Sequence, residues 1–306
     1  TSLDSAWLEE PFVRSGMRAN LHFSLSRNDL LKEEETPVAI QLNGESYASF
    51  RVRWNNRLKV DTAIALDLSD SDDGTLLLTL QDEAISYDNA LYASLQMKAS
   101  CRVLEISDAT QETPAAEAFG VDSFFTYVKT PGSSVSTEQL DEAQFILVTA
   151  EKPLSEGLVF TLAEQARRGK NVAFFPSINS TDAWNSVFSA QGLPVYGPRD
   201  TSSHKIDVIN TKTPFYGDLF KEEPKKAGWP TVKNSAVLKV NGAGLPGILL
   251  NSVKGDPLYV KSIVGKGNVF YASFGLNEKN SAFVKHPLFL PVLYKSALYK
   301  ESNKPL

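Results

Sequence analysis

Apolar and polar residues alternate along the first hundred positions with the period of a half-buried strand. Leu21, Phe23 and Leu25 are separated by His22 and Ser24, and Phe50, Val52 and Trp54 by Arg51 and Arg53. Leu58, Val60, Ile64 and Leu66 follow, then Leu76, Leu78 and Leu80. Turn residues punctuate these runs at Asn43-Gly44, at Asn55-Asn56 and from Asp70 to Gly74. Asn43-Gly44, between Gln41-Leu42 and Glu45-Ser46, predicts a tight hairpin. About seven short strands without a helical stripe predict a small antiparallel β-sandwich of immunoglobulin-like type over residues 1–99.

From residue 100 onward the rhythm changes. Cys101 to Ile106, Phe124 to Val128, Phe145 to Val148 and Val172 to Phe175 read as short buried strands. Between them, Ser136-Thr137-Glu138-Gln139 reads as a capped helical turn. Ser155 to Arg168 carries helical spacing and ends at Gly169, and Asp182 to Ala190 reads as the next helix. This order predicts a parallel sheet with flanking helices over residues 100–306. Beyond residue 200 strands are expected at Val237 to Val240, Ile248 to Leu250, Leu258 to Val264 and Val269 to Ala272, the last two joined by Gly265-Lys266-Gly267. A final helix is expected from His286-Pro287 through Tyr299, with the proline in its first turn.

Charge sharpens this division. The chain carries 31 basic and 36 acidic residues, a net charge of −5. Residues 1–98 hold 9 basic and 16 acidic ones, which leaves a small positive excess for the remainder. Without a basic stripe to neutralise phosphates, the composition argues against a nucleic-acid partner. One cysteine excludes an intramolecular disulfide framework and a cysteine-based zinc site. No apolar run reaches the roughly 18 residues that span a bilayer. The chain opens at Thr1, without a methionine or a signal peptide, and is read as an excised fragment of a longer parent.

Few motifs promise chemistry, and neither a metal nor a cofactor is expected. Gly242-Ala243-Gly244-Leu245-Pro246-Gly247 has dinucleotide-loop spacing but leads into a strand, where a pyrophosphate would need a helix N-terminus. Asp67, Asp70, Asp72 and Asp73 crowd one turn without the register of a calcium loop. Cys101, at a strand start, is expected to be a buried, inert thiol. Phe175-Pro176-Ser177-Ile178-Asn179 follows a buried strand and precedes a helix, the place of a nucleophile elbow. The elbow glycines are missing, so Ser177 and Asn179 are weak binding candidates and no catalytic residue is assigned. The candidate bases for Ser177 are His204, in a Ser-Ser-His-Lys stretch that reads as a loop, and His286, at the start of the last helix.

Taken together, Leu3-Asp4-Ser5-Ala6-Trp7-Leu8-Glu9, Ile40 to Glu45, Ile85 to Tyr92, Phe145 to Ala150, Arg168-Gly169-Lys170, Phe175-Pro176-Ser177, Val264 to Val269 and His286 to Pro291 resemble the BatA-like membrane proteins of aerotolerance operons. The resemblance covers essentially the whole chain. It implies a sandwich followed by a three-layer α/β domain of class I glutamine amidotransferase-like, flavodoxin-like type. It further implies membrane segments outside these residues, a periplasmic soluble portion, and envelope or membrane proteins as partners. Active enzymes of that shape use an elbow cysteine and a His-x-Glu pair. Here the elbow offers Ser177, and Leu288 stands where the acid would be. The expectation is a non-catalytic protein- or ligand-binding ectodomain. The alternatives are a Ser177-dependent hydrolase or transferase, or a glycan-binding module presenting Trp7 or Trp54.

Overall fold

The computed structural model describes residues 1–8, 13–14, 18–28, 34–68, 74–80, 90–95, 97–98, 100–177, 181–209, 213–216, 228–239, 247–279 and 281–300. The chain divides into two compact units, Thr1–Ala99 and Ser100–Leu306.

The first unit is built from β1 (Ser2–Leu8), β2 (Val13–Arg14), β3 (Arg18–Ser26), β4 (Glu35–Leu42), β5 (Glu45–Arg53), β6 (Lys59–Asp67), β7 (Gly74–Leu80), β8 (Ala90–Leu95) and β9 (Met97–Lys98). Two antiparallel sheets, β1-β3-β6 and β5-β4-β7-β8, carry the long strands, and β2 pairs with β9 in parallel. The inward residues of both sheets form one core. Leu21, Phe23, Leu25 and Leu66 from the first sheet cluster with Val38, Ile40, Val52, Leu76 and Leu78 from the second. The alternation therefore has its expected cause, one face of each strand removed from water. Asn43 and Gly44 adopt φ of 53° and 84°, the left-handed pair that closes the β4–β5 hairpin. One position departs from the strand alternation. Leu58 is exposed, because it lies before β6. Trp54 is 1% exposed, and its indole N–H donates to Thr36 Oγ1 at 2.8 Å.

The second unit comprises β10 (Cys101–Ile106), α1 (Pro114–Gly120), β11 (Phe125–Thr130), α2 (Thr137–Glu142), β12 (Phe145–Val148), α3 (Glu156–Arg167), β13 (Asn171–Phe174), α4 (Thr181–Ala190), β14 (Val195–Ile209), β15 (Thr231–Lys239), β16 (Gly247–Ser252), β17 (Pro257–Val264), β18 (Gly267–Ala272) and α5 (Phe289–Leu298). One nine-stranded sheet runs β11-β10-β12-β13-β18-β17-β16-β14-β15. Its first five strands are mutually parallel, and the remainder pair antiparallel.

Side-chain parity explains why the parallel strands read as continuous apolar runs. Leu104, Ile106, Ile146, Val148, Val172 and Phe174 join one core with Val159 and Leu162 of α3 and with Trp184 and Phe188 of α4. Phe145, of the other parity, packs on Phe119 of α1, which stacks on Tyr294 of α5. Strands covered in this way have no polar face to show. The helix signals also act as local chemistry predicts. Ser136 and Gln139 form a reciprocal capping box at α2, and the Ser155 hydroxyl accepts from Leu158 N–H at α3.

The Gly265-Lys266-Gly267 turn joins β17 to β18. A Cβ on Gly267 would approach the Lys170 carbonyl and lie 2.5 Å from that of Ala166. Gly267→Ala is accordingly expected to lower the stability of the full chain by about 1–3 kcal/mol, since backbone has little room to yield. The shift in urea midpoint measures it, and an unchanged midpoint would refute the packing account.

Candidate functional site

In an α/β sheet, side chains and loops converge beyond the carboxyl ends of the parallel strands, which is where ligands bind. Here the segments following β10, β12, β13 and β18 line a cavity of about 530 Å³, with residues from α1 and the 3₁₀ turn Ala282–Lys285. Ser107, Thr113, Thr149 and Ser177 supply its hydroxyls. Four carboxylates (Glu112, Glu117, Glu151 and Glu278) stand against Lys279 and Lys285, and Lys285 pairs with Glu278 at 2.8 Å.

Behind two of these hydroxyls lies a group that periodicity did not single out. Glu105 of β10 is fully buried and accepts hydrogen bonds from Thr113 Oγ1 at 2.6 Å, from the Tyr127 phenol at 2.5 Å and from Thr149 Oγ1. A buried carboxylate is tolerated when hydroxyls replace its water in this way. Burial, followed by the Glu105 charge, holds the Tyr127 phenol well above its usual range, so it remains a donor. Thr113 also caps α1 by accepting from Ala116 N–H. Lys129 Nζ donates to the Ala109 and Gln111 carbonyls, bracing the loop that edges the cavity. With their protons directed at Glu105, the Thr113 and Thr149 hydroxyls offer lone pairs as acceptors. The only advance sign of this network was one acid inside the apolar run Cys101 to Ile106.

Ser177 lies in this cavity, three residues beyond β13, and its hydroxyl donates to the Glu151 carbonyl at 3.2 Å. Asn179 lies outside the described residues, as do Asp70, Asp72, Asp73 and Gly242 to Pro246. Asp67 ends β6 and pairs with Arg18 at 3.5 Å. Gly247 opens β16, so this end of the glycine motif enters a strand. Cys101 is fully buried.

Both histidines depart from expectation. His204 lies inside the long strand β14, not in a loop, and is buried. The polar Ser-Ser-His-Lys run is accommodated because Asp200 and Ser202 bond the imidazole. His286 does not begin the last helix: α5 starts at Phe289, and His286 closes the preceding 3₁₀ turn. Its Nδ1 accepts from Leu288 N–H, its ring stacks on Trp229, and burial lowers its pKa. In the first unit, Trp7 is half exposed and stacks on His22. With Trp54 in the core, that part of the aromatic support for a glycan surface is removed. Among the described residues, no group of three or more His, Cys, Asp or Glu side chains is placed to hold a metal, and no helix is long and apolar enough to cross a membrane.

No family model and no curated protein matches the chain. Distant likenesses exist among solved structures. The cytoplasmic protein STM1381 from Salmonella typhimurium LT2 is 11% identical over 65% of this chain and 100% of its own, with a TM-score of 0.46. A ThuA-like protein from Bacteroides uniformis ATCC 8492 is 12% identical over 64% of this chain and 89% of its own, with a TM-score of 0.46. The CARDB domain of PF1109 from Pyrococcus furiosus is 12% identical over 31% of this chain and 94% of its own, with a TM-score of 0.27.

Proposed function

We propose that residues 100–306 form a three-layer, glutamine amidotransferase-like α/β domain without catalysis, which serves as a binding module, and that residues 1–99 form an immunoglobulin-like sandwich. The observation that carries this reading is the cavity at the strand ends together with the state of its elbow residue. A serine becomes a nucleophile when a base takes its proton. The Ser177 hydroxyl donates to the Glu151 backbone carbonyl, and a carbonyl is not a general base. His204 and His286 have their own partners in Asp200, Ser202, Leu288 and Trp229. A cavity rich in acceptors and carboxylates remains suited to holding a small ligand or a segment of a partner protein.

The cellular setting rests on the BatA-like resemblance. In that reading the chain is the periplasmic part of an envelope protein anchored by segments outside these 306 residues, and its partners are other envelope or membrane proteins. Fractionation of cells expressing the full-length parent tests the setting; recovery in the cytoplasm would overturn it.

The chemical half of the proposal is tested with glutamine and with p-nitrophenyl acetate. The chain and its Ser177→Ala variant are expected to give the same background rate. Turnover that disappears in Ser177→Ala would replace the binding module with a serine hydrolase.

A further inference from the structure

A second constellation lies on β14 and the β16–β17 turn, and neither the cavity nor the proposed binding function uses it. His204 is 6% exposed. Its Nε2 lies 2.8 Å from Asp200 Oδ2 and 2.9 Å from Ser202 Oγ. The Ser202 N–H donates to Asp200 Oδ1 at 2.7 Å and fixes that carboxylate. A carboxylate oxygen accepts hydrogen bonds. The nitrogen facing it must carry the proton, which settles the tautomer of the neutral ring.

That assignment leaves Nδ1 as a buried lone pair with no hydrogen-bond partner among the described residues. Asp256 Oδ2 lies 3.8 Å from it. Asp256 is oriented in turn: the Ser252 hydroxyl donates to the same oxygen at 3.0 Å, and the Asp256 N–H donates back to Ser252 Oγ at 3.1 Å. Two electron-rich atoms thus face each other, and a cation is the species that satisfies both. Spacing and setting suit a metal ion. Zinc bonds of about 2.0–2.2 Å to a nitrogen and an oxygen fit a 3.8 Å gap at a ligand–metal–ligand angle of about 130°. The hydrogen bond from Nε2–H to a carboxylate is the outer-shell arrangement that fixes and strengthens a metal-binding imidazole. The Asp256 side chain is 56% exposed, which leaves a path for the ion and coordination positions for water.

We infer that His204 Nδ1 and Asp256 Oδ2 form a two-ligand site for a borderline divalent cation such as zinc, with Asp200 as the outer-shell carboxylate. Two protein ligands are fewer than a closed structural site uses, so the ion is exchangeable and its remaining ligands are water.

Isothermal titration of the 306-residue chain with zinc chloride near neutral pH tests this. One saturable site per chain is expected. Asp256→Asn and His204→Gln should each remove it, and Asp200→Asn should weaken it about 10–100-fold, as loss of an outer-shell partner does. Asp256 is at the surface, so Asp256→Asn keeps the test valid if His204→Gln fails to fold, as judged by circular dichroism. No saturable heat would mean that a proton closes the gap, and the proposal would fall. Equal binding by the chain and its Asp256→Asn variant would place the zinc elsewhere and overturn it equally.

Discussion

Replacing Glu105 by leucine is expected to destabilise the second unit by about 3–5 kcal/mol, among the largest effects of any single substitution. The carboxylate is the shared acceptor for the Thr113, Tyr127 and Thr149 hydroxyls. Leucine approximates its volume but accepts from none of them, and each stranded hydroxyl costs on the order of 1–3 kcal/mol where water cannot replace the partner. Glu105→Gln keeps an acceptor oxygen and should cost less than half as much. Urea unfolding followed by tryptophan fluorescence gives both values. A Glu105→Leu, Thr149→Val double variant should recover part of the loss, because it removes one of the stranded donors. Additive losses in that cycle would show that the network is not the cause. Since Thr113 and Thr149 also line the cavity, the same substitution would turn their hydroxyls toward a ligand and change what the cavity accepts.

Asn171→Leu is expected to cost about 3–4 kcal/mol for a related reason. The Asn171 amide, on β13, donates to the carbonyls of Ser296 at 2.9 Å and Tyr299 at 2.8 Å, with a longer contact to Ala297 at 3.3 Å. Its own oxygen accepts from Asn268 of β18 at 3.0 Å. One side chain thus satisfies the open carbonyls at the end of α5 and ties that helix to two strands. Asn171→Asp removes the donors and sets a negative charge against those carbonyls. It should be worse than leucine near neutral pH and partly recover in acid, where the carboxyl group regains a proton to donate. A thermal scan of the three proteins at two pH values checks the order. Equal melting temperatures for leucine and aspartate would exclude the charge argument.

Much of the strand content was legible because burial acts on each strand locally. In Leu21, Phe23 and Leu25, or in Phe145 to Val148, the pattern of apolar residues records directly which faces meet water. Turn and cap chemistry was legible for the same reason: Asn43-Gly44 and the Ser136 capping box act within four residues. The errors came where a distant partner overrides the local signal. Ser-Ser-His-Lys looked like a loop, but Asp200 and the neighbouring strands hold it extended. His286-Pro287 looked like a helix start, yet the preceding 3₁₀ turn ends there and the helix opens at Phe289.

By itself, the sequence determined the change from strand alternation to alternating strands and helices, the absence of a cysteine framework, and the place of Ser177 after a buried strand. These follow from periods of two and 3.6 residues and from composition, which need no knowledge of what lies opposite. Only the tertiary structure decided which polar groups meet. Glu105 is 44 residues from Thr149, Asn171 is 125 from Ser296, and His204 reaches Asp256 across the turn between two other strands. Hydrogen bonds and ion pairs act over a few ångströms and carry no periodic trace along the chain. The cavity and the histidine site are therefore products of strand order, which alone brings those side chains within reach.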